Sequence, residues 1–542
     1  MSAKKKRRLP EAGEDPATAA AARPSRRLAG ILGGLLLLVY LANGDTLANH
    51  DASASVYLPL QLLGRGRLTF TLEDSPQLFT YELRRPSGKT QGVRFHSWDF
   101  VLDGATMRQH AQAGALLVTG RLYCLTETRW PGIYANTFGI GAGLFALPAV
   151  AVAKLFDPAL QKHPPHIWQA TKFAAAAAVA GSAVFVFLVA AAALGSRRAF
   201  LLALIYGLCT CVWSTSSQAL WQHGPTELFL AMGCYFLLRR ERPSAFWAGI
   251  AFSLAVACRP TAILVLAAVA LMFALRDRRA LVRLVAGALP VGVLLLVYGL
   301  VIFGHAFSTG QTGMGSEVAL GKTGSADLWQ TPLYLGSLGL FVSPGRGLLV
   351  YSPVAVVALG GMLRVWRDRK EHVLQALSLA AVVMFVLAAK WFDWWGGWCY
   401  GYRPIVDLTI LLAFLAVLVV PWVCARRGRR LVVLVLAGWS FLVQALGAYA
   451  YDVSGWNGRW AYDVVGPGPN QVTTYYDPAQ AKRHARERGG SVKSRSESVD
   501  DPAYRHRLWS VSDNPIFYYL SRLQSSHARR LEGINTLLVD GT

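Results

Sequence analysis

The chain has 542 residues, of which 54% are hydrophobic and only 16% charged, a balance that excludes an ordinary soluble globular protein. Its formal net charge of +23 sits mostly in short basic clusters between hydrophobic blocks. No zinc-finger, RNP-like or helix-turn-helix signature accompanies those clusters, so nucleic acid is not an expected partner.

The apolar residues fall in blocks of roughly 15 to 25, the length a helix needs to cross about 30 Å of hydrocarbon. Lys4-Lys5-Lys6-Arg7-Arg8 and the Pro- and Ala-rich sequence after it read as a disordered cytoplasmic tail, residues 1–27. The first block, Leu28 to Leu41, lacks a small-residue cleavage site and is expected to stay as an anchor helix. Asn43-Gly44-Asp45-Thr46, Asn49-His50-Asp51 and Tyr57-Leu58-Pro59 follow. A carboxylate at the exit of a membrane helix is costly unless it pairs or works, which makes Asp45 and Asp51 functional candidates.

Residues 43–169 are too many for a structureless loop. Leu68–Leu72, Phe79–Leu83 and Val93-Arg94-Phe95 are β-rich, and with the turn signal Pro86-Ser87-Gly88 they predict a small β-meander. The stretch Thr137 to Phe156 is apolar but carries Gly139, Gly141, Gly143 and Pro148, so an interfacial element is expected rather than a crossing.

Five basic loops then set the topology: Arg197-Arg198, Arg239-Arg240-Arg242, Arg276 to Arg283, Arg364 to Lys370, and Arg426 to Arg430. Placing all five in the cytoplasm requires an even number of crossings between neighbours. Spans near 28–42, 170–194, 199–214, 225–238, 245–258, 260–275, 284–303, 348–363, 373–389, 404–423 and 430–450 satisfy that count. The expected fold class is an all-α polytopic membrane protein with about 11 transmembrane helices. Its N-terminus is cytoplasmic and its C-terminus outside, with outer juxtamembrane elements and a small β-containing first outer loop. The transmembrane domain covers 28–450. The remainder, 451–542, is expected to be an extracytoplasmic appendage with a flexible polar middle from Pro478 to Asp501.

The seven cysteines show no metal-ligand spacing. Cys209, Cys211, Cys234 and Cys258 lie in apolar runs where packing is expected, and Cys124 with Cys399 forms a candidate pair that sequence alone does not assign.

On this topology the unusual polar residues gather on the outer side. They are Asp45 and Asp51, Trp221-Gln222-His223-Gly224, Cys258-Arg259-Pro260, Ser343-Pro344-Gly345-Arg346-Gly347, the run Trp391 to Gly397, and Tyr400-Gly401-Tyr402-Arg403. Arg259 and Arg403 also suit snorkelling to lipid headgroups, and the tryptophans suit an interfacial belt. Gly345 and Gly347 flank an arginine, a pattern that fits either a turn or backbone amides approaching an anion. No internal repeat is evident, and the central spans are nearly pure Ala, Leu and Val with Asp407 the main exception, which weighs against a transporter.

These stretches, in this order, resemble the GT-C superfamily of integral-membrane glycosyltransferases, in particular bacterial relatives of the dolichyl-phosphate-mannose:protein mannosyltransferases. Asp51 with Tyr57-Leu58-Pro59 carries the likeness. So do Asn136 to Pro148, Leu220 to Gly224, Cys258-Arg259-Pro260, Ser343 to Pro353 and Trp395 to Arg403. The resemblance covers residues from about 30 to 450 and implies juxtamembrane helices in the first outer loop and an acidic general base near the membrane. Asp51 is the catalytic expectation, with Asp45 in reserve; the adjacent acidic pair of many members is absent, since Asn49-His50 precede Asp51.

Restraining a lipid phosphate calls for arginine forks, and the candidates are Arg259, Arg346 and Arg403. His223, Ser343, Trp395 and Tyr57 complete the expected substrate-binding set. The expected activity is inverting transfer from a polyprenyl-phosphate sugar to a glycan, lipid or protein acceptor on the outer face of a bacterial inner membrane. A ligase or polymerase using lipid-diphosphate glycans and a transporter or lipid flippase are the alternatives. No cofactor and no metal ligand is expected, and a divalent cation is left open.

Overall fold

A computed structural model describes residues 25–523 except 48, 85–89, 95–115, 240–241, 368–370, 454, 466–471 and 489. The expected basic tail from Lys4 to Arg8, the Pro86-Ser87-Gly88 turn, Arg240, Arg369 and Lys370 lie outside the described residues.

The chain is mostly helical. Four helices are long and apolar enough to cross a membrane by length and composition: Pro164–Leu194, Arg278–Phe303, His372–Lys390 and Arg427–Ala450. The architecture is that of a helical membrane protein. Helical segments lie over each of the eleven expected spans, several of them short or broken by 3-10 or π turns. In chain order we label α1 (Arg26–Leu41), α2 (His50–Arg65), α3 (Gly141–Phe156), α4 (Pro164–Leu194), α5 (Ser196–Leu208), α6 (His223–Leu238), α7 (Ala245–Cys258), α8 (Ile263–Arg276), α9 (Arg278–Phe303), α10 (Gly310–Thr323) and α11 (Leu333–Val342). There follow α12 (Val356–Val365), α13 (His372–Lys390), α14 (Leu408–Ala416), α15 (Arg427–Ala450), α16 (Pro478–Arg488) and α17 (Pro515–Leu520).

Burial sorts these helices. Every residue of α14 is buried, whereas α9 exposes Leu289, Val293, Leu294 and Leu300 along one face. A helix apolar all round belongs in the centre of a bundle, and a helix with an exposed apolar stripe belongs at its lipid-facing rim. Glycines set the closest approaches. A Cβ at Gly249 of α7 would fall 2.1 Å from the Leu284 carbonyl of α9, and one at Gly287 of α9 would fall 2.0 Å from the Phe246 carbonyl. Small residues at such crossings let backbones meet and gain dispersion contacts that larger side chains would prevent.

The expected β-meander is two separate sheets. β1 (Thr69–Phe70), β6 (Tyr134–Asn136) and β5 (Leu125–Glu127) form one in the order β1-β6-β5, while β2 (Phe79–Arg84), β3 (Thr90–Arg94) and β4 (Leu116–Arg121) form the other in the order β3-β2-β4. Both are antiparallel. The strip after α1 is helical from His50 onward: Asn49 caps α2 by accepting from the Asp51 amide at 2.9 Å. Pro59 sits inside α2 and cannot donate to the Ser55 carbonyl; Gly143 of α3 packs against that carbonyl and Leu58. The stretch 137–156, expected at the interface, holds the helix α3 from Gly141 onward, whose far end exposes Leu155 and Phe156.

The C-terminal region departs from expectation in its middle. Residues 478–501 hold α16 and the strand β9 (Ser491–Ser498), which pairs along β7 (Gly458–Val465) from Gly458–Ser498 to Val465–Ser491; β8 (Val472–Tyr475) covers the other edge of β7. Eight residues of backbone pairing order a segment whose polar composition suggests disorder. All seven cysteines are free thiols; Cys124 is buried beside α2 and α3, and Cys399 donates to the Trp395 and Gly401 carbonyls.

Candidate functional site

A cavity of about 1430 Å³ opens where α2, the α7–α8 turn, α10, α13 and the C-terminal sheet converge. Asp51 lines it from the first turn of α2, where a carboxylate is favoured by the exposed amides of the helix start. Its two oxygens are held apart by different partners: Oδ2 pairs with the Arg403 guanidinium, and Oδ1 accepts from the Tyr123 hydroxyl. Arg403 continues into the wall, donating to the Gly396 carbonyl at 2.6 Å and lying 4.6 Å from the Trp221 ring centre. Gly396 and Gly397 have φ of +74° and +62°, a left-handed conformation that side chains resist. This double reversal turns the Gly396 carbonyl to Arg403 and the Gly397 carbonyl to Arg346.

A second ionic group stands beside it, tied to the Arg403 segment where Arg259 Nη2 donates to the Pro404 carbonyl at 3.3 Å. Arg259, at the tight turn between α7 and α8, pairs with Asp407, and its Nη1 is 2.8 Å from His223 Nδ1. His223 Nδ1 is also 3.0 Å from Asp407 Oδ1. The carboxylate is only 1% exposed and depends on these two partners, whereas Arg259 keeps 16% of its side chain accessible to the cavity. Unpaired, a charge buried to that degree would be prohibitive.

The remaining predicted residues divide. Asp45 lines the cavity; its side chain accepts from the Thr46 amide at 2.8 Å, and its main-chain carbonyl is held by Lys172, which also reaches Asn43. Tyr57 lines it too, buried, with its hydroxyl facing the Trp168 indole. Arg346, Ser343 and Trp395 do not line the cavity.

Arg346 is wholly buried and spends its fork on the carbonyls of Trp395 (2.8 Å), Gly345 (2.8 Å) and Gly397 (2.9 Å) and on Asn457 Oδ1 (2.7 Å). Ser343 donates to the Leu508 carbonyl at 2.6 Å, and the Trp395 indole donates to Asp500 at 2.9 Å. The Ser343-to-Gly347 segment thus fastens the C-terminal region to the bundle. As a site for anions it is closed, because four of the guanidinium's five N–H donors are already spent on acceptors and the group is sealed from the cavity.

Sequence reasoning missed Tyr123, the partner of Asp51, and Lys322, which bridges Asp393 at 2.8 Å and Asp500 at 3.0 Å on the cavity wall. It missed the C-terminal contribution, from Arg459, Trp460, Tyr462 and Tyr476. The one usable signal was Asp407, an acid in an otherwise apolar span whose counter-charge had to exist.

Around the ionic groups the wall is of two kinds. Ile263, Leu264, Met384 and Leu387 make an apolar side, contributed by α8 and α13. Trp329, Trp391, Trp398, Trp460 and Tyr476 make an aromatic side. Three lining residues (Thr46, Gln222 and Thr261) carry a buried polar side-chain atom with no protein partner, while the Tyr57 hydroxyl faces the Trp168 indole. Buried polar atoms are almost always satisfied, so a concentration of unsatisfied ones along a cavity marks where a polar ligand would bond. Among the described residues, one cluster has metal-ligand geometry, Asp157 with His163 and His166, and it is not part of the cavity lining. No protein-family model matches the chain, and no curated protein is detectably similar to it.

Proposed function

We propose that this chain is an inverting glycosyltransferase of the GT-C type, moving a sugar from a polyprenyl-phosphate donor to an acceptor on the outer face of a bacterial inner membrane. In this reading the chain crosses the membrane eleven times, with the basic loops in the cytoplasm and the cavity outside. The observation that carries the proposal is the convergence on one cavity of the Asp51 carboxylate, two arginines, an apolar wall and orphaned polar atoms.

Each part has a task. The prenyl chain lies along Ile263, Leu264, Met384 and Leu387. Its phosphate takes donors from Arg259 and Arg403, whose forks carry five N–H groups each, more than one carboxylate uses. The acceptor hydroxyl gives its proton to Asp51 as its oxygen attacks the anomeric carbon. The bond from that carbon to the phosphate oxygen breaks, and the lipid phosphate departs with the electron pair. Charge gathering on it is met by the arginines. One displacement at the anomeric carbon inverts configuration. The aromatic side offers ring faces for the acceptor.

The test uses the full chain in lipid nanodiscs with a polyprenyl-phosphate donor labelled in its sugar. Replacing Asp51 by Asn is expected to lower transfer by about 10²–10⁴-fold while donor binding persists. Near-normal transfer by that variant sinks the mechanism. The cavity exceeds the roughly 300–1,000 Å³ of common ligand pockets, which favours a ligase for whole lipid-diphosphate glycans as the second reading. Label transferred as an oligosaccharide rather than one sugar decides for it.

A further inference from the structure

A cluster of metal-ligating side chains lies outside the cavity, at the junction of α3 and α4. Asp157 caps the C-terminus of α3, its amide donating to Ala153 O at 2.9 Å. A single 3-10 turn, Leu160–Lys162, carries the chain to His163, the N-cap of α4. His163 and His166 are three residues apart across the first turn of α4, a spacing that brings their side chains to the same side. Both point Nδ1 at one oxygen, Asp157 Oδ2, at 2.7 and 2.8 Å, and their ring centres are 5.3 Å apart.

The backbone holds this arrangement independently of the side chains. Leu160 is fully buried in the α2–α3–α4 core, Leu160 N donates to Asp157 O and His163 N to Leu160 O at 3.0 Å each, and Pro164-Pro165 fix the first turn of α4. The imidazoles themselves stay open to solvent, at 49% and 63% exposure.

We propose that Asp157, His163 and His166 form a binding site for a divalent transition cation of the zinc class. Two imidazole nitrogens and one carboxylate oxygen are the donor set that Zn²⁺ accepts, with water completing a tetrahedron. Ligation at about 2.0–2.1 Å places tetrahedral donor atoms about 3.3 Å apart, so the present hydrogen-bonded contacts open by roughly half an ångström. Neutral histidines bind through Nδ1 once their remaining proton moves to the solvent-facing Nε2, so the exchange needs no other partner.

The position gives the ion a structural consequence. α3 wedges between the base-bearing helix and the Arg259 turn: a Cβ at Gly139 or Gly141 would stand 2.4–2.6 Å from the Ala257 and Cys258 main chain, and Gly143 touches Leu58 of α2. One turn beyond His166, Gln169 donates to the Gly44 carbonyl, and Lys172 holds the Asn43–Asp45 strip. A cation at the α3–α4 junction clips together the two helices that frame Asp51 and Asp45. The site itself stands whatever reaction the cavity performs.

The experiment uses the full-length protein without a histidine tag, in detergent, stripped with chelator and titrated with Zn²⁺ alone. The expected result is one equivalent bound at low-micromolar affinity that is absent from H163A/H166A, and a weakening of about 10- to 100-fold in Asp157→Asn, which keeps a hydrogen-bond acceptor. Co²⁺ in place of zinc is expected to give a visible absorption band in the wild type that the double variant lacks. A melting temperature raised by about 2 °C or more by zinc in the wild type alone accompanies binding. Should the wild type and H163A/H166A bind the same number of equivalents with equal affinity, or should Co²⁺ give no band dependent on these histidines, the site does not exist. Because the imidazoles are exposed, their removal strips no core contact, and the Co²⁺ band is read on the unmutated protein in any case.

Discussion

Arg346 and Arg403 sit 57 positions apart, both beside glycines and tryptophans, and both grip the Trp395-Gly396-Gly397 reversal from opposite sides. The difference between them lies in what surrounds the guanidinium. Arg346 meets three backbone carbonyls and a side-chain amide and is sealed from solvent, with the Trp456 ring 5.5 Å away. Arg403 meets one carbonyl, one aromatic face and the Asp51 carboxylate, and it borders the cavity. An arginine among carbonyls holds a fold together; an arginine against a cavity carboxylate leaves both charges at a surface that a ligand can reach.

Removing Arg346 tests the first half of that contrast and has the largest expected effect. Arg346→Ala leaves the Gly345, Trp395 and Gly397 carbonyls and Asn457 without their donors, and each buried group so stranded costs about 1–3 kcal/mol. The variant is expected to melt far below the wild type or to aggregate on extraction. A well-behaved Arg346→Ala protein that has merely lost donor affinity would return Arg346 to the substrate site.

Asp51→Asn tests the other half. The amide keeps the shape and one acceptor for Tyr123 or Arg403, so the melting temperature should shift little while transfer collapses. Equal losses in both measurements would make the Asp51–Arg403 pair a structural element like Arg346.

The Arg259–Asp407 pair sits between these extremes and calls for a double-mutant cycle. Arg259→Ala strands a carboxylate that is 1% exposed, with a destabilisation of about 3–5 kcal/mol expected from breaking one partner of a buried pair. Asp407→Asn added to it should restore most of the stability and none of the donor affinity. Recovery of both would show that Arg259 serves the fold alone.

What the residues disclosed in advance follows from which forces act locally. Helical segments cover the apolar stretches, four of them long enough to cross a membrane, because hydropathy is a local signal. α11 escaped, since Leu333–Val342 is short and flanked by Pro332 and the Ser343-Pro344 turn. α2 is expected only as one of the juxtamembrane helices that the resemblance implies, without bounds, because Pro59 and the small polar residues from Asp51 to Ser55 are weak local helix signals; its formation rests on the Asn49 cap and on burial against α3. Asp51, Asp45, Arg259, Arg403, His223 and Tyr57 do line one cavity, whereas Ser343, Arg346 and Trp395 do not. Nothing local distinguishes a Gly-Arg-Gly turn that greets an anion from one that closes over carbonyls of residues 49 to 51 positions away. The strand β9 depends on β7, and pairing across roughly thirty residues leaves no trace in composition.

The smallest expected effect concerns the C-terminal region, where the contrast between structural and site-facing charge can be read by pH. Burial alone would raise the Asp513 carboxyl, but Arg507, Arg459 and the Trp456 indole N–H outweigh it and hold the group below its ordinary value. Arg507 is almost fully buried and also donates to the Glu497 and Trp456 carbonyls, so this pair resembles the Arg346 cage more than the cavity pairs. A carboxyl depressed on folding contributes stability in full above its unfolded value of about 3.9, and that contribution fades as pH falls below it. Thermal melts of the wild type should therefore be insensitive to Asp513 in their pH profile from neutrality down to about pH 5 and steepen near pH 4 and below. Asp513→Asn is expected to start lower at neutral pH and to show a flatter acid limb. An unchanged limb would mean that the Arg507 cage stands on its carbonyls alone, as Arg346 does without any carboxylate.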